Sequence, residues 1–183
     1  MTEKNRQSDS LTTAIIQVAG MMEIAARTAP KSRGEDFIQI KIITGEQIQE
    51  LAKATLKFGQ EKNRKNFDRD SSNLLCTKAV VLLGLKNTKA LSLDCGACGH
   101  PDCASFEAAE VIDGDFKGPI CSYRLIDLGI ALGSAVKTAQ IFNVDNRIMY
   151  RIGVVARWMG MVDWDYVLGV PLAATGKNIF FDR

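Results

Sequence analysis

Ala79-Val80-Val81-Leu82-Leu83-Gly84-Leu85 is a nearly unbroken aliphatic run. A run this short has the length of a strand and not of a helix, and its apolarity predicts a strand that is buried. Upstream, from Phe37 to Ile43, Ile38, Ile40 and Ile42 alternate with Gln39 and Lys41. β-Branched side chains at every second position fit a pleated, half-buried surface, so this is a second strand. Downstream, Tyr166 to Leu172 reads as a third, with Pro171 near its end.

Helical spacing fills the chain between these strands. Leu11, Ile15, Val18, Met22 and Ala25 recur through Arg27, after Ser8, Asp9 and Ser10, any of which can cap. Ala29-Pro30-Lys31-Ser32-Arg33-Gly34 breaks that helix in a turn with two cations. Thr44 and Gln47 form a capping-box pattern before Ile48, Leu51, Ala52 and Leu56, a helix ending near Gly59. The polar run from Gln60 to Asn73 has no strong apolar period; it is read as partly helical, with its first half a loop.

Beyond Cys121, Leu125, Leu128, Leu132, Ala135-Val136 and Ala139 form a long stripe, in which Gly129 and Gly133 are read as core packing positions against a close neighbour. Asn143 to Asn146 interrupts it before Ile148, Ile152, Val155-Ala156 and Met159 resume. With no repeat, low-complexity tract or linker, residues 1–183 are expected to form one α+β domain.

Composition agrees with that size. The chain has 183 residues, 46% hydrophobic and 24% charged, enough to bury roughly 70% of its unfolded surface without disulfide staples. Its 23 basic and 21 acidic residues give a formal charge of +2, too small to imply a nucleic-acid surface. Lys62, Arg64 and Lys65 lie beside Glu61 and Asp68 and read as a solvated loop. No apolar run approaches the ~18 residues of a membrane span, and the polar first ten residues lack a signal-peptide h-region. A cytoplasmic protein without membrane insertion is expected.

Five cysteines remain to be explained. Cys76 stands apart in an apolar stretch and reads as a small buried hydrophobe. The other four occur in Cys95-Gly96-Ala97-Cys98-Gly99-His100-Pro101-Asp102-Cys103 and at Cys121, a C-x2-C-x4-C-x17-C spacing. In a reducing compartment this clustering points to metal and not to disulfides. Two thiolates two residues apart can face one concavity, and Gly96 and Gly99 permit the turn between them. Pro101 suits the first turn of a helix, which places Cys103 at its positive end.

Four thiolates suit either a [4Fe-4S] cluster or a tetrahedral zinc ion. Many zinc ribbons use two short C-x2-C knuckles, whereas one knuckle, a third cysteine close by and a distant fourth suit the larger cube. His100, replacing a cysteine on zinc, is the less favoured variant of the site. Between Cys95 and Cys121 stand Asp102, Glu107, Glu110, Asp113 and Asp115 against Lys117 alone. Such acids are either a solvated face or a charge field that lowers a cluster's potential and attracts a basic redox partner.

The run from Cys95 to Glu107, with Cys121, resembles the four-cysteine iron-sulfur domain of electron-transport subunits in bacterial ion-pumping complexes and of the corrinoid protein of the acetyl-CoA pathway. That resemblance implies a [4Fe-4S] cluster on Cys95, Cys98, Cys103 and Cys121, within an embedded segment spanning 90–124. The whole chain also resembles a prokaryotic group described as containing a ferredoxin domain, through Asp94 to Gly99, Gly118 to Cys121, Gly169 to Leu172 and Phe180 to Arg183.

A third likeness lies outside the cysteines. Ala25 to Ser32 is similar to the alanine-proline-serine turn of flavin-dependent nitroreductases, and Ile152-Gly153 to Met161 with Leu168 to Pro171 is similar to their late helix and strand. It implies a nitroreductase-like mixed sheet packed with helices, into which the cysteine segment is inserted, and a homodimer binding FMN at its interface. The family's N-terminal arginine-rich phosphate motif is absent, and Arg33-Gly34-Glu35 stands where flavin contacts are usual. Lys31, Arg33 and Lys177 are the cations available to a flavin phosphate, with a solvated surface as the other reading.

Three functions compete on this footing. The first is a [4Fe-4S] electron-transfer protein serving a redox partner. The others are a zinc-stapled structural or interaction module and an FMN-dependent reductase, an oxidoreductase with the cluster as relay. His100 is the only histidine, which leaves no catalytic triad, and Gly176-Lys177 lacks the remainder of a phosphate-binding loop. Arg124, Asp127 and Asp145 are read as structural ion-pairing residues.

Overall fold

The computed structural model describes residues 3–181. Strand β1 (Ile38–Thr44) pairs antiparallel with β2 (Ala79–Leu85), Ile38 opposite Leu85 and Thr44 opposite Ala79. β2 pairs antiparallel with β6 (Tyr166–Ala173), and a two-residue β5 (Asp145–Asn146) completes the order β1-β2-β6-β5. A separate hairpin joins β3 (Ile112–Asp113) to β4 (Lys117–Gly118).

Helices cover both faces of the sheet, which is why β2 is aliphatic at almost every position. Ala79, Val81, Leu83 and Leu85 pack against α1 (Glu3–Thr28) and α5 (Ser122–Ile141), through Ile15, Met22, Leu128 and Ala135 among others. Val80 and Leu82 face the other way, against α2 (Glu46–Glu61), α3 (Phe67–Leu75) and α6 (Tyr150–Trp158). Every residue of β2 is buried, and each large side chain among them contributes about 1.5–3 kcal/mol. β1 divides likewise: Ile38, Ile40 and Ile42 join the first layer and Ile43 the second.

The layers meet most closely where α6 crosses β6. A Cβ on Gly153 would stand 1.9 Å from the Val167 carbonyl oxygen, and one on Gly169 would stand 2.3 Å from Ile152 Cγ2. Because backbone is the obstacle at Gly153, neither partner can swing aside. Gly153→Ala is expected to cost about 3 kcal/mol, lowering the thermal midpoint by about 6–12 °C. A midpoint within about 2 °C of the parent would contradict this packing.

Several local expectations are corrected. The backbone is helical from Glu3, so Ser8, Asp9 and Ser10 lie inside α1 and do not cap it. The Thr44 capping box does not form: Gly45, at φ 54°, is the N-cap of α2 and no side chain caps it. The polar run is partly helical as expected: after α2 ends at Glu61 a loop leads into α3, whose inner face carries Asp70 and Ser71 beside Phe67 and Leu74. Asp70 is paired with Arg69 and Arg151, and the Ser71 hydroxyl donates to the Ala52 carbonyl at 2.8 Å, so a hydrophobic period could not reveal this helix.

Cys76 follows α3 and is exposed, not buried, since the chain turns there before entering β2. Gly129 and Gly133 also face outward, and a Cβ on either would meet nothing within 4 Å. Leu128, Leu132 and Ala135 occupy the inner face of α5 instead. Asp182 and Arg183, which carry part of one sequence resemblance, lie outside the described residues.

Candidate metal centre

β2 ends at Leu85, and the chain runs from there along the surface into the cysteine segment. Ser92 and Asp94 adopt φ of 55° and 48°, and Gly96 and Gly99 adopt 69° and 86°. Left-handed residues at this density coil the backbone tightly, and at Gly96 and Gly99 only glycine does so without strain. The Gly99 amide donates to the Gly96 carbonyl at 2.9 Å, closing the turn between Cys95 and Cys103.

α4 (Cys103–Glu107) follows at once. Asp102 caps it by accepting from the Ser105 amide at 2.7 Å, and the Asp102 amide donates back to the Ser105 hydroxyl at 3.4 Å. The Ser105 amide and hydroxyl together hold the Asp102 carboxyl below its ordinary value. Asp94 ties the two arms together: its carboxylate accepts from the Cys103 amide at 2.8 Å, and its own amide donates to Cys103 Sγ at 3.4 Å.

The fourth cysteine arrives from the far side of an excursion. Cys121 is the N-cap residue of α5, is 7% exposed, and its carbonyl accepts from the Arg124 amide at 2.9 Å. Cys95, Cys98, Cys103 and Cys121 all line one cavity, walled on its apolar side by Leu91 and Phe106. Cys95 is exposed at its mouth, Cys98 and Cys103 are half-buried, and Cys121 is the buried end. His100 also borders it, its ring edge-on to Phe106 at 5.6 Å. Among the described residues no group of three or more His, Cys, Asp or Glu side chains stands close enough together to hold a metal ion as placed; what the four cysteines share is the lining of this cavity.

Two arginines anchor the excursion. Arg157 of α6 donates to Asp113 at 2.5 Å, to the Gly114 carbonyl at 3.2 Å and to the Trp164 carbonyl at 3.0 Å. Arg64 binds both oxygens of Asp115, at 2.8 and 2.7 Å, and Tyr150 donates its hydroxyl to the same carboxylate. Arg64 also stands over the rings of Phe58, Phe67 and Tyr150. This corrects the reading of its loop as merely solvated. Two of the five acids near the cysteines are thus neutralised and Asp102 is a cap, while Glu107 and Glu110 are exposed.

Burial pushes the Asp115 carboxyl up, but the Tyr150 hydroxyl and the Arg64 guanidinium more than offset it, and the group stands below its ordinary value. Burial and then Asp115 raise the Tyr150 phenol. A carboxylate held low contributes stability that is complete above the unfolded pKa of about 3.9 and is lost as pH falls through the folded value. Urea unfolding is expected to show that loss in the parent and not in Asp115→Asn, by about 1 kcal/mol or less because the pair is partly exposed. Matching acid limbs for the two proteins would contradict the assignment.

A second network underlies the start of α5. Arg124, 0% exposed, reaches Glu35, Asp127, the Ser32 carbonyl and the Lys89 carbonyl, and lies 4.6 Å from the Phe37 ring centre. Asp127 also accepts from the Ser32 amide and hydroxyl, both at 2.8 Å. Arg124 and Asp127 are thus the structural pair expected; Asp145 instead sits in β5.

The three cations considered for a flavin phosphate are differently placed. Lys31 Nζ donates to the Ala26, Arg27 and Ala29 carbonyls at the end of α1, which uses all three ammonium protons. Arg33 lies in the exposed turn Ser32–Gly34, and Lys177 lies beyond β6, where its carbonyl accepts from Thr175. None of the three lines the cysteine cavity. At Lys31 the residues present do not fit a phosphate, because its donors are already satisfied.

The family described as "Uncharacterized protein containing a ferredoxin domain (DUF2148)" matches residues 117–183, a stretch that includes Cys121. A protein of Archaeoglobus fulgidus, described as an uncharacterized protein, is 42% identical over 183 residues, covering 100% of this chain and 97% of its own. The chain belongs to this ferredoxin-domain family. Its fold is that of the nitroreductases. The FMN-dependent nitroreductase NfnB from Mycobacterium smegmatis, solved in complex with NADPH, superposes with a TM-score of 0.58 at 11% identity, over 92% of this chain and 82% of that one. Nitroreductase CinD from Lactococcus lactis, in complex with nicotinic acid, gives 0.55 at 12%, over 86% and 77%. Identities this low establish a shared fold and no shared ligand. No helix among the described residues is long and apolar enough to cross a membrane.

Proposed function

We propose that this ferredoxin-domain protein is a cytoplasmic [4Fe-4S] electron carrier, with the cluster held by Cys95, Cys98, Cys103 and Cys121 in an embedded 90–124 segment of a single 1–183 domain. The observation that carries the proposal is the shared cavity: four cysteines from two separate stretches of chain border it, and four thiolates are the donor set of such a cluster. When bound, the cluster would supply one-electron transfer. The chain's own part is to present the thiolates, to exclude water at the Cys121 end with Leu91 and Phe106, and to leave Cys95 at the surface for a redox partner.

Anaerobic reconstitution with iron, sulfide and zinc offered together tests this reading. About four irons and four sulfides per chain are expected, with broad visible absorption. One zinc per chain and no sulfide would establish the structural module instead, in which the metal contributes folding energy alone. Released FMN, with reduction of acceptors by a nicotinamide cofactor, would favour the flavin reductase. The Lys31 contacts speak against the phosphate position first considered for that flavin.

A homodimer forms part of the same proposal. On the outer face of α5, Ile126, Ile130 and Ile141 are 52%, 40% and 64% exposed, around the open Gly129 and Gly133. Apolar side chains interleaved with glycine permit close helix contact. Light scattering is expected to give twice the 20.1 kDa chain mass, and Ile130→Glu is expected to give a folded monomer. A monomeric parent at every concentration would remove the dimer.

A further inference from the structure

A second cavity, of about 230 Å³, lies at the beginning of α6 and is lined by Arg69, Asp70, Arg147, Met149, Tyr150 and Arg151, with Ile148. We infer that it is a binding site for a small organic anion, one carrying a phosphate or carboxylate group. The inference does not depend on the cluster.

Three guanidinium groups border this space with a single carboxylate. Asp70 is 1% exposed and fully engaged: one oxygen accepts from Arg69 Nε and Nη2 at 3.0 and 2.8 Å, and the other accepts from Arg151 Nη1 at 3.0 Å. It therefore fixes two cations beside the cavity and is itself spent in doing so. Arg151 is held further by the Phe67 ring, 5.5 Å from its guanidinium. Arg147 is fixed from the other side, donating Nη1 to the Phe180 carbonyl at 2.7 Å and lying 5.1 Å from the Phe181 ring centre.

Each arginine is thus positioned by one set of contacts that uses only part of its five N–H donors. Gathering three like charges around one space is unfavourable unless an anion offsets it, and pre-positioned guanidinium forks match the paired oxygens of carboxylate and phosphate. The first turn of α6 adds to the same polarity, having neither a side-chain cap nor an acidic residue. A cavity of this size exceeds what a bare inorganic ion fills, and Ile148 and Met149 supply apolar wall for a carbon skeleton.

Titration calorimetry on the full chain at constant ionic strength, with inorganic phosphate, glycerol phosphate and succinate as probes, tests the assignment. Saturable one-to-one binding is expected for glycerol phosphate or succinate, tighter than for inorganic phosphate; which of the two binds identifies the head group. Arg147→Gln and Arg151→Gln are each expected to weaken it at least roughly tenfold, the loss of a charged hydrogen-bonded contact, and Arg151→Lys is expected to fall between. Thermal midpoints without ligand monitor folding, and a midpoint raised by the anion in the parent and not in the variants serves as an independent readout. Absence of saturable binding, equal affinity for inorganic phosphate, or parental affinity in the folded glutamine variants would each overturn the inference.

Discussion

Cys121→Ser is expected to leave a folded protein that retains roughly a tenth or less of the parent's iron and sulfide after anaerobic reconstitution, because a hydroxyl does not replace a thiolate in a four-thiolate set. The position is the most demanding of the four. Cys121 is buried at the head of a 20-residue helix, and its carbonyl is engaged by the amides of Arg124 and Leu125. The backbone there cannot shift to offer another donor without disturbing α5. Cys76→Ser is the matched control: Cys76 is exposed in the turn before β2 and does not line the cavity, so parental iron content is expected. Equal iron in both variants would contradict the site.

The second large effect belongs to Arg124. Arg124→Met is expected to cost about 3–5 kcal/mol in unfolding free energy, since it leaves the buried Asp127 carboxylate without its cation. The same substitution releases the Lys89 carbonyl, which Arg124 Nε holds at 3.1 Å just ahead of the cysteine segment, and the Ser32 turn on the opposite side. Iron retention is therefore expected to fall along with stability, although Arg124 touches no cysteine side chain. Chemical denaturation and iron release measured on the same preparations check both. A loss below about 1 kcal/mol would show that Ser32 alone sustains Asp127.

Much of the architecture is legible in the amino-acid pattern. β2 announces itself because a strand between two helical layers has few polar positions, and the edge strand β1 because its isoleucines alternate with Gln39 and Lys41. The stripes of α1 and α5 follow from period alone. What was hidden has a common cause, which is that it depends on partners distant in sequence. Asp70 and Ser71 disguise the inner face of α3, since their burial is sustained by Arg151 and by the Ala52 carbonyl. Gly129 and Gly133 satisfy a packing pattern from either side of a helix, and only the third dimension shows them facing outward.

The cysteine site divides in the same way. That Cys95, Cys98, Cys103 and Cys121 border one cavity follows from their spacing, and the turn between them from Gly96 and Gly99. The clamp that shapes the Cys103–Cys121 excursion is not visible there, because Arg64 lies in the loop after α2 and Tyr150 and Arg157 lie on α6, both distant in sequence from the acids they hold. Lys31 offers the opposite lesson. Next to a proline turn it looked available to an anion, yet the end of α1 takes all three of its protons.

Electron paramagnetic resonance of the reconstituted, dithionite-reduced protein decides whether the four cysteines hold a cluster. One half-integer spin signal per four irons, present in the parent and in Cys76→Ser and absent from Cys95→Ser, Cys98→Ser, Cys103→Ser and Cys121→Ser, is the predicted result. A parent that takes up no iron, or a signal that survives all four of those substitutions, would contradict it.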